Sequence, residues 1–187
     1  MYKINEIFYS LQGEGRWTGT PMVFIRFSGC NLRCYFCDTD FIAFKEMGLE
    51  DIVSLVESIS GACRRICVTG GEPSLQIDEA FVSAFHKKGY KIHIETNGTR
   101  SLPEGIDWVT FSPKQDLFPD SPLALEKADE LKLVYTGSDP KHWEDFPAGY
   151  YYLQPCSCLN TEEVVAYVMD HPLWQLSLQT HKYIDIR

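Results

Sequence analysis

The chain has 187 residues, of which 44% are hydrophobic, and its formal net charge is −9. This length fits one domain spanning residues 1–187 and allows a full hydrophobic core without disulfides. The acidic charge, unrelieved by any Lys/Arg stripe, argues against nucleic acid as a direct partner, because phosphates repel such a surface.

The sequence also bears on compartment and membrane contact. No segment combines a charged start, an apolar run and a small-residue cleavage site, and no apolar run approaches the ~18 residues of a membrane span. The seven cysteines are odd in number and three of them are clustered, which fits a reducing compartment better than a disulfide framework. We therefore expect a cytoplasmic protein that does not contact a membrane.

The first half of the chain alternates strand patterns with helical patterns. Strands rich in apolar residues are predicted over 3–10, 21–28, 65–69 and 90–95. Helices with one apolar face are predicted over 49–59 and 77–88. This order favours parallel strand pairing with right-handed crossovers.

Helices become fewer in the second half. Strands are predicted over 107–111, 130–135, 150–153 and 174–178, the last followed by an extension over 179–183. One further helix is predicted over 161–169, with Asn160 or Thr161 as its cap. The pattern predicts an α/β fold, a partial, open (β/α) barrel of about six mainly parallel strands with few covering helices.

Three cysteines, Cys30, Cys34 and Cys37, directly follow the strand predicted over 21–28. A structural zinc site and a four-iron cluster both normally take four protein ligands. Three thiolates would leave one coordination position open, which indicates chemistry at the metal. Of the remaining cysteines, Cys67 lies in a core strand pattern, where a thiol behaves as a small hydrophobic group, so we do not expect a second metal site.

Polar or glycine-rich loops follow the predicted strands. Besides the cysteine loop they are TGGEP at 69–73, ETNG at 95–98, SPK at 112–114 and QPCS at 154–157. Because the carboxyl ends of parallel strands meet at one edge, we expect these five loops to line a single pocket.

Three further features allow two interpretations each. LQGEG at 11–15 is typical of a surface turn or of a substrate loop whose backbone faces a ligand. Arg26 either lies on an edge strand or points into the barrel toward a substrate carboxylate. DTD at 38–40 is either a solvated turn or a source of hard oxygen ligands for Mg²⁺.

The cysteine loop and TGGEP, in this order, resemble the radical S-adenosylmethionine (SAM) enzymes. More narrowly, segments from Glu6 to the C-terminus resemble the 7-carboxy-7-deazaguanine synthases: EIFYSLQGEG, FIRFSGCNLRC, CDTDF, TGGEP, IETNG, SPK, ELKLV, LQP and LQTHKY. The resemblance implies a carbon–nitrogen lyase that uses a [4Fe–4S] cluster, SAM and Mg²⁺. It would convert 6-carboxy-5,6,7,8-tetrahydropterin to 7-carboxy-7-deazaguanine, with ring contraction and loss of ammonia, on the route to queuosine and other 7-deazapurines.

The resemblance also implies site residues and partners. Cys30, Cys34 and Cys37 would hold the cluster, and Thr39 would ligate Mg²⁺. The SAM-binding residues would be Phe36, Cys37, Asp38, Gly71, Ser112, Pro113, Lys114, Gln154, Pro155, Cys156 and Ser157. The substrate-binding residues would be Leu11, Gln12, Gly13, Arg26, Thr69, Glu95, His181 and Arg187. No catalytic residue beyond the cluster and SAM is expected, and the partners would be a donor such as flavodoxin or ferredoxin and a second copy in a homodimer.

Residue chemistry agrees with these roles but leaves alternatives open. Arg26 suits a carboxylate, and Glu95 suits the donor-rich edge of an aminopyrimidinone. Considered without the resemblance, Glu95 could be a solvated carboxylate at a strand end, and His181 could cap local backbone.

Two other functions remain possible at this point. A glycyl-radical-enzyme activase would share the cluster and SAM loops, but it acts on a protein and would not need LQGEG, ETNG or QTHKY. A non-catalytic metal-binding or redox module, with zinc on the cysteines, would leave TGGEP and the polar strand ends without a role.

Overall fold

The computed structural model describes residues 1–40 and 42–187, so Phe41, the last residue of the CDTDF segment, lies outside it. Within the described residues nine strands form one sheet. The strands are β1 (Tyr2–Leu11), β2 (Pro21–Phe27), β3 (Lys45–Met47), β4 (Arg65–Gly70), β5 (Lys91–Thr96), β6 (Trp108–Phe111), β7 (Ala128–Tyr135), β8 (Ala148–Pro155) and β9 (Trp174–Leu176). The helices are α1 (Leu49–Ser60), α2 (Glu79–Lys87), α3 (Thr161–Asp170) and α4 (Thr180–Tyr183).

The sheet is open and mainly parallel. Its strand order is β3-β1-β2-β4-β5-β6-β7-β8-β9, and β3 and β9 are its edges. Every pair from β2–β4 to β8–β9 is parallel, whereas β1 pairs antiparallel with both β2 and β3. The predicted fold class is therefore confirmed, with the first hairpin and the short β3 extending the parallel strands on one side.

The helices α1 and α2 cover the outer face of the first half of the sheet. Ile52 and Val56 of α1 and Phe81 and Phe85 of α2 are fully buried in one apolar cluster with the strands β2, β4 and β5. The Asp78 side chain caps α2 by accepting a hydrogen bond from the Phe81 N–H at 2.8 Å. The two helices predicted from sequence periodicity thus form the expected crossovers between parallel strands.

A second apolar cluster covers the other half with less helix. Leu131 and Leu133 of β7 pack there with Trp143, which lies in a short 3₁₀ turn, and with Val164 of α3. No helix formed by residues 1–40 and 42–187 is long and apolar enough to cross a membrane.

The inner face of the sheet is polar over β5, β7 and β8, whereas a small apolar cluster that includes Phe24 and Cys67 lies on it at β1, β2 and β4. On β7, Leu131 and Leu133 face the outer cluster, so Glu130 and Lys132 point to the opposite side, and both are buried. His93 on β5 and Gln154 on β8 are also buried polar residues. Because the two large apolar clusters lie outside the sheet, this part of its interior is left for polar contacts.

The tail departs from the predicted strand over 174–178 and its extension. β9 ends at Leu176, and α4 begins at Thr180. The chain turns because the Thr180 N–H and Oγ1 both donate to the Gly13 carbonyl at 2.9 Å. This tertiary contact leaves no signal in local sequence periodicity.

Candidate active site

A cavity of about 710 Å³ opens at the carboxyl ends of the parallel strands. The five loops predicted to meet there all line it, represented by Cys30, Gly71, Asn97, Lys114 and Ser157. The β1–β2 loop and the C-terminal segment complete its wall. The prediction of a single pocket is confirmed.

Most of the residues assigned by resemblance line this cavity. The exceptions are Pro113, which is buried, and Cys156, which is half-buried; both adjoin lining residues in the chain. Those that line it are Leu11, Gln12, Gly13, Arg26, Cys30, Cys34, Phe36, Cys37, Asp38, Thr39, Thr69, Gly71, Glu95, Ser112, Lys114, Gln154, Pro155, Ser157, His181 and Arg187.

The cysteine loop presents its thiols to one side of the cavity. Cys30 and Cys34 are half-buried and Cys37 is exposed, and the Cys37 N–H donates to the Cys34 carbonyl at 3.2 Å. Burial raises the pKa of Cys30 and of Cys34, and the neighbouring Cys37 thiol raises both further. All three of these cysteines line the cavity.

The donor set fits a four-iron cluster better than a single ion. Among residues 1–40 and 42–187, no three His, Cys, Asp or Glu side chains are placed to hold one metal ion together. A single zinc ion would draw its thiolates to about 2.3 Å from one centre, whereas a four-iron cluster takes each thiolate on a different iron. Three thiols on one loop at a cavity wall provide one thiolate for each of three irons and leave the fourth iron open.

Two glycines join the end of β4 to the cysteine loop. Gly70 has φ of 126°, and a Cβ there would overlap the Phe27 backbone. A Cβ on Gly71 would overlap the Gly29 carbonyl oxygen. The Gly71 N–H donates to the Phe27 carbonyl at 3.0 Å, and the Glu72 N–H donates to the Gly29 carbonyl at 2.9 Å. The absence of side chains at Gly70 and Gly71 thus allows the turn after β4 to pack directly against the cysteine loop.

Glu72, not among the assigned residues, holds the neighbouring loop. It is 1% exposed and accepts hydrogen bonds from Thr96 Oγ1 and from the Asn97 N–H, both at 2.7 Å. Asn97 Nδ2 in turn donates to Asn31 Oδ1 in the cysteine loop at 3.1 Å. One buried carboxylate thereby sets the relative positions of three loops at the cavity.

The SPK and QPCS loops form the opposite wall. Burial lowers the pKa of Lys114 to about 8, although the nearby Cys34 thiol acts in the other direction. Lys114 Nζ donates to the Ser112 carbonyl at 2.8 Å. Asn160 is the N-cap residue of α3, but its side chain does not cap the helix; its Oδ1 instead accepts from the Cys156 N–H at 2.8 Å and fixes the QPCS turn. Ser157 in that turn has a positive φ of 48°.

Arg26 lies on β2, between β1 and β4, so the edge-strand interpretation is wrong. Its Nε donates to Glu6 Oε1 at 2.8 Å, and its Nη1 donates to Thr39 Oγ1 at 3.4 Å. The other oxygen of Glu6 pairs with Arg187 Nη2 at 3.1 Å. Two guanidinium groups therefore share one carboxylate at the cavity wall, an arrangement suited to binding a further anion.

A network at the floor of the cavity was not predicted from the sequence. Lys132 Nζ pairs with Glu14 Oε2 and lies 3.3 Å from Glu95 Oε1. Gln12 Nε2 donates to Glu95 Oε1 at 3.0 Å, and Gln179 Nε2 donates to Glu14 Oε1 at 2.9 Å. Burial opposes the charges of Glu14 and Lys132, but their attraction dominates, so the pKa of Glu14 is lowered and that of Lys132 is raised.

The sequence pattern that could have identified Lys132 is the alternation of charged and apolar residues along β7. Glu130 and Lys132 occupy every second position of a strand whose other face is Leu131 and Leu133. Two charged residues on the inner face of a buried strand indicate a polar interior. Their partners cannot be read from the sequence, because Glu14 lies 118 positions from Lys132 along the chain.

The C-terminal segment closes the remaining side. His181 packs against Gly13, where a Cβ would overlap the imidazole ring. Lys182 Nζ pairs with Asp38 Oδ2 at 2.6 Å, linking the segment to the cysteine loop. Ser10 Oγ donates to the Arg187 carbonyl at 2.6 Å. The tail contacts assigned by resemblance thus reach the same cavity as the cysteines.

An open, mainly parallel sheet with a three-cysteine loop and a Gly-Gly turn at its carboxyl rim defines a radical SAM fold. Residues 24–114 match the family model described as Radical SAM superfamily. The chain is 56% identical over 187 residues to the 7-carboxy-7-deazaguanine synthase of Bacteroides thetaiotaomicron, with 100% of both chains covered. It is 41% identical over 211 residues to that of Bordetella pertussis, with 99% of each covered. The protein therefore belongs to the 7-carboxy-7-deazaguanine synthase family of radical SAM enzymes.

A solved structure supports the same assignment. The structure described as the crystal structure of QueE from Escherichia coli matches with a TM-score of 0.78 and 30% identity, over 96% of this chain and 94% of that chain. The resemblance seen in the sequence is confirmed. The full-length relatives favour a synthase over both the activase and the non-catalytic module.

Proposed function

We propose that the protein converts 6-carboxy-5,6,7,8-tetrahydropterin to 7-carboxy-7-deazaguanine, contracting the ring and releasing ammonia. The observation that carries the proposal is that one cavity brings the three-thiol loop together with Gln12, Arg26 and Glu95. A sulfur donor set for the cluster and a polar recognition set for a small, carboxylate-bearing ring thus face the same space.

On this proposal, Cys30, Cys34 and Cys37 hold the [4Fe–4S] cluster. When bound, the cluster supplies the electron that cleaves SAM and so generates a radical able to abstract hydrogen from the substrate. The chain's own task is placement and exclusion of water. The glycine turn at Gly70 and Gly71 fixes the cysteine loop, and the residues proposed to hold SAM extend from it to the opposite wall: Phe36, Asp38, Ser112, Pro113, Lys114, Gln154, Pro155, Cys156 and Ser157.

Substrate recognition is assigned to the floor and the tail side of the cavity. Arg26 is proposed to take the substrate carboxylate, because its guanidinium already pairs with a carboxylate there. Glu95 and Gln12 are proposed to face the aminopyrimidinone edge. The remaining substrate contacts are proposed for Leu11, Gly13, Thr69, His181 and Arg187.

Thr39 is the residue proposed to hold Mg²⁺, which would neutralise the charge of the substrate carboxylate. The hydroxyl of Thr39 lines the cavity 3.4 Å from Arg26 Nη1. A single protein oxygen fits Mg²⁺, which commonly keeps waters and binds through substrate oxygens. We further propose that the enzyme works in the cytoplasm as a homodimer and receives its electron from a donor such as flavodoxin or ferredoxin.

The test is an anaerobic turnover experiment. Protein reconstituted with iron and sulfide is mixed with SAM, a reductant, Mg²⁺ and the pterin, and products are identified by mass. Formation of 7-carboxy-7-deazaguanine supports the proposal. If 5′-deoxyadenosine forms without the deazapurine, the substrate assignment is wrong, and the activase function becomes the one to test.

A further inference from the structure

Lys132 lies at the floor of the cavity and belongs to none of the substrate, SAM or metal sets above. Its side chain is 5% exposed, and it projects from the middle of β7. Its ammonium group lies between two carboxylates from different parts of the fold, Glu14 after β1 and Glu95 on β5. Burying an ammonium group in this position costs free energy unless it is paired with opposite charge and hydrogen-bonded.

The two oxygens of Glu95 have different surroundings. Oε1 receives Gln12 Nε2 at 3.0 Å and lies 3.3 Å from Lys132 Nζ. Among residues 1–40 and 42–187, Oε2 accepts a hydrogen bond only from Thr69 Oγ1, at 3.4 Å, the outer limit of a hydrogen bond. The protein therefore saturates one oxygen and leaves acceptor capacity on the other.

A carboxylate with one oxygen fixed by a cation can only accept hydrogen bonds, whereas a protonated carboxyl also donates one. Without Lys132, Glu14 and Glu95 would face each other uncompensated, with Glu130 also on the inner face of β7. Like charges at such a distance favour uptake of a proton by one of them. If Glu95 took up the proton, the side of its carboxyl group that faces the substrate would change from a hydrogen-bond acceptor to a donor.

We propose that Lys132 is a positioning residue that keeps Glu95 an acceptor with Oε2 free for the substrate, so that the site selects rings presenting adjacent N–H groups and rejects isosteres presenting acceptors. The inference rests on the proposed function, since it concerns how the same cavity recognises the pterin. Other charged or titratable groups around the ammonium are Glu130 on the same strand, Lys114 after β6 and Cys67 on β4.

The experiment is a double-mutant cycle on the reconstituted enzyme. Lys132→Met is expected to raise the KM for the pterin at least about tenfold, the effect of losing one charge-assisted hydrogen bond. Reductant-driven SAM cleavage without substrate should be retained, because Lys132 is not among the SAM contacts. In a Glu95→Gln background, Lys132→Met should change KM less than about twofold, since Lys132 acts through Glu95.

A second background protects the test against misfolding. Lys132→Met alone leaves Glu14 unpaired, so the cycle is repeated with Glu14→Gln in all four proteins. This change removes one of the two carboxylates that would face Glu95, so Lys132→Met should raise the KM less than in the first cycle, and the rise should still depend on Glu95. Lys88→Met serves as the matched control, because Lys88 pairs with Glu57 at 3.0 Å on the surface. This variant should leave the KM for the pterin unchanged.

The outcomes separate the inference from the function. If the unmodified protein forms product and Lys132→Met does not change the KM for the pterin, the inference is wrong and the proposed function stands. An equal fold-increase whether residue 95 is Glu or Gln also overturns it, because the effect of Lys132 would then be independent of Glu95. Absence of product from the unmodified, cluster-loaded protein overturns the proposed function and the inference together.

Discussion

At the scale of single residues, the thiols differ in what surrounds them. Cys34 lines the cavity, whereas Cys63 lies outside it and its thiol donates to the Pro21 carbonyl at 3.3 Å. Cys34→Ala is expected to remove one cluster ligand and to abolish both SAM cleavage and turnover. Iron content, visible absorption and 5′-deoxyadenosine formation measure this. Cys63→Ala is the control and should retain all three; SAM cleavage by Cys34→Ala would contradict the ligand assignment.

Glu130 offers a second residue-scale prediction, on stability. It is 2% exposed, and burial raises its pKa from 4.5 to about 7 even though the charge of Lys132 acts in the other direction. The folded state therefore binds a proton between these pH values that the unfolded state has already released. As pH rises through this window, the free energy of unfolding falls. The stabilisation that Glu130 contributes is fully present only below pH 4.5.

Glu130→Gln removes the titration and should stabilise the protein relative to the wild type as pH rises. The difference in unfolding free energy should grow from about pH 4.5 to about pH 7 and then stay constant. Urea unfolding of both proteins across this range measures the difference. A difference that shrinks as pH rises would show that Glu130 is ionised in the folded state throughout.

At the scale of elements, the turn after β4 determines where the cysteine loop lies. A Cβ on Gly71 would overlap the Gly29 carbonyl, so Gly71→Ala must displace the loop, at a cost of about 1–3 kcal/mol. We expect reduced iron retention after reconstitution, measured by iron and sulfide analysis. Gly48→Ala is the matched control, because Gly48 has a φ of −73° and lies at the start of α1. Equal iron content in both variants would argue against this coupling.

The same scale shows what the sequence can and cannot predict. β2 and β4 each contain a run of buried apolar residues, Met22–Ile25 and Ile66–Val68, so their strand character and their polar ends were predictable. β3 was missed because three polar or flexible residues at an edge carry no periodic signal. α4 and the pairing of Lys132 with Glu14 depend on contacts between chain segments more than 100 positions apart, which local patterns do not encode.

At the scale of the whole molecule, the apolar core and the cysteine loop are separate. Both large apolar clusters lie on the outer face of the sheet, and neither includes Cys30, Cys34 or Cys37. Removal of iron by a chelator should therefore leave the fold intact. We expect a far-UV circular dichroism spectrum superimposable on that of the reconstituted protein, with a lower Tm because a ligand of the folded state is lost. Loss of secondary structure on chelation would show that the cluster is part of the core.

The C-terminal segment has a consequence for biosynthesis. Gly13 and Thr180 are 167 positions apart, and Ser10 and Arg187 are 177 apart, yet each pair is joined by a hydrogen bond at the cavity wall. A nascent chain on the ribosome can form the first hairpin and its crossovers long before residues 179–187 emerge. This side of the cavity wall is therefore complete only once residues 179–187 have emerged, so a partly made polypeptide lacks it.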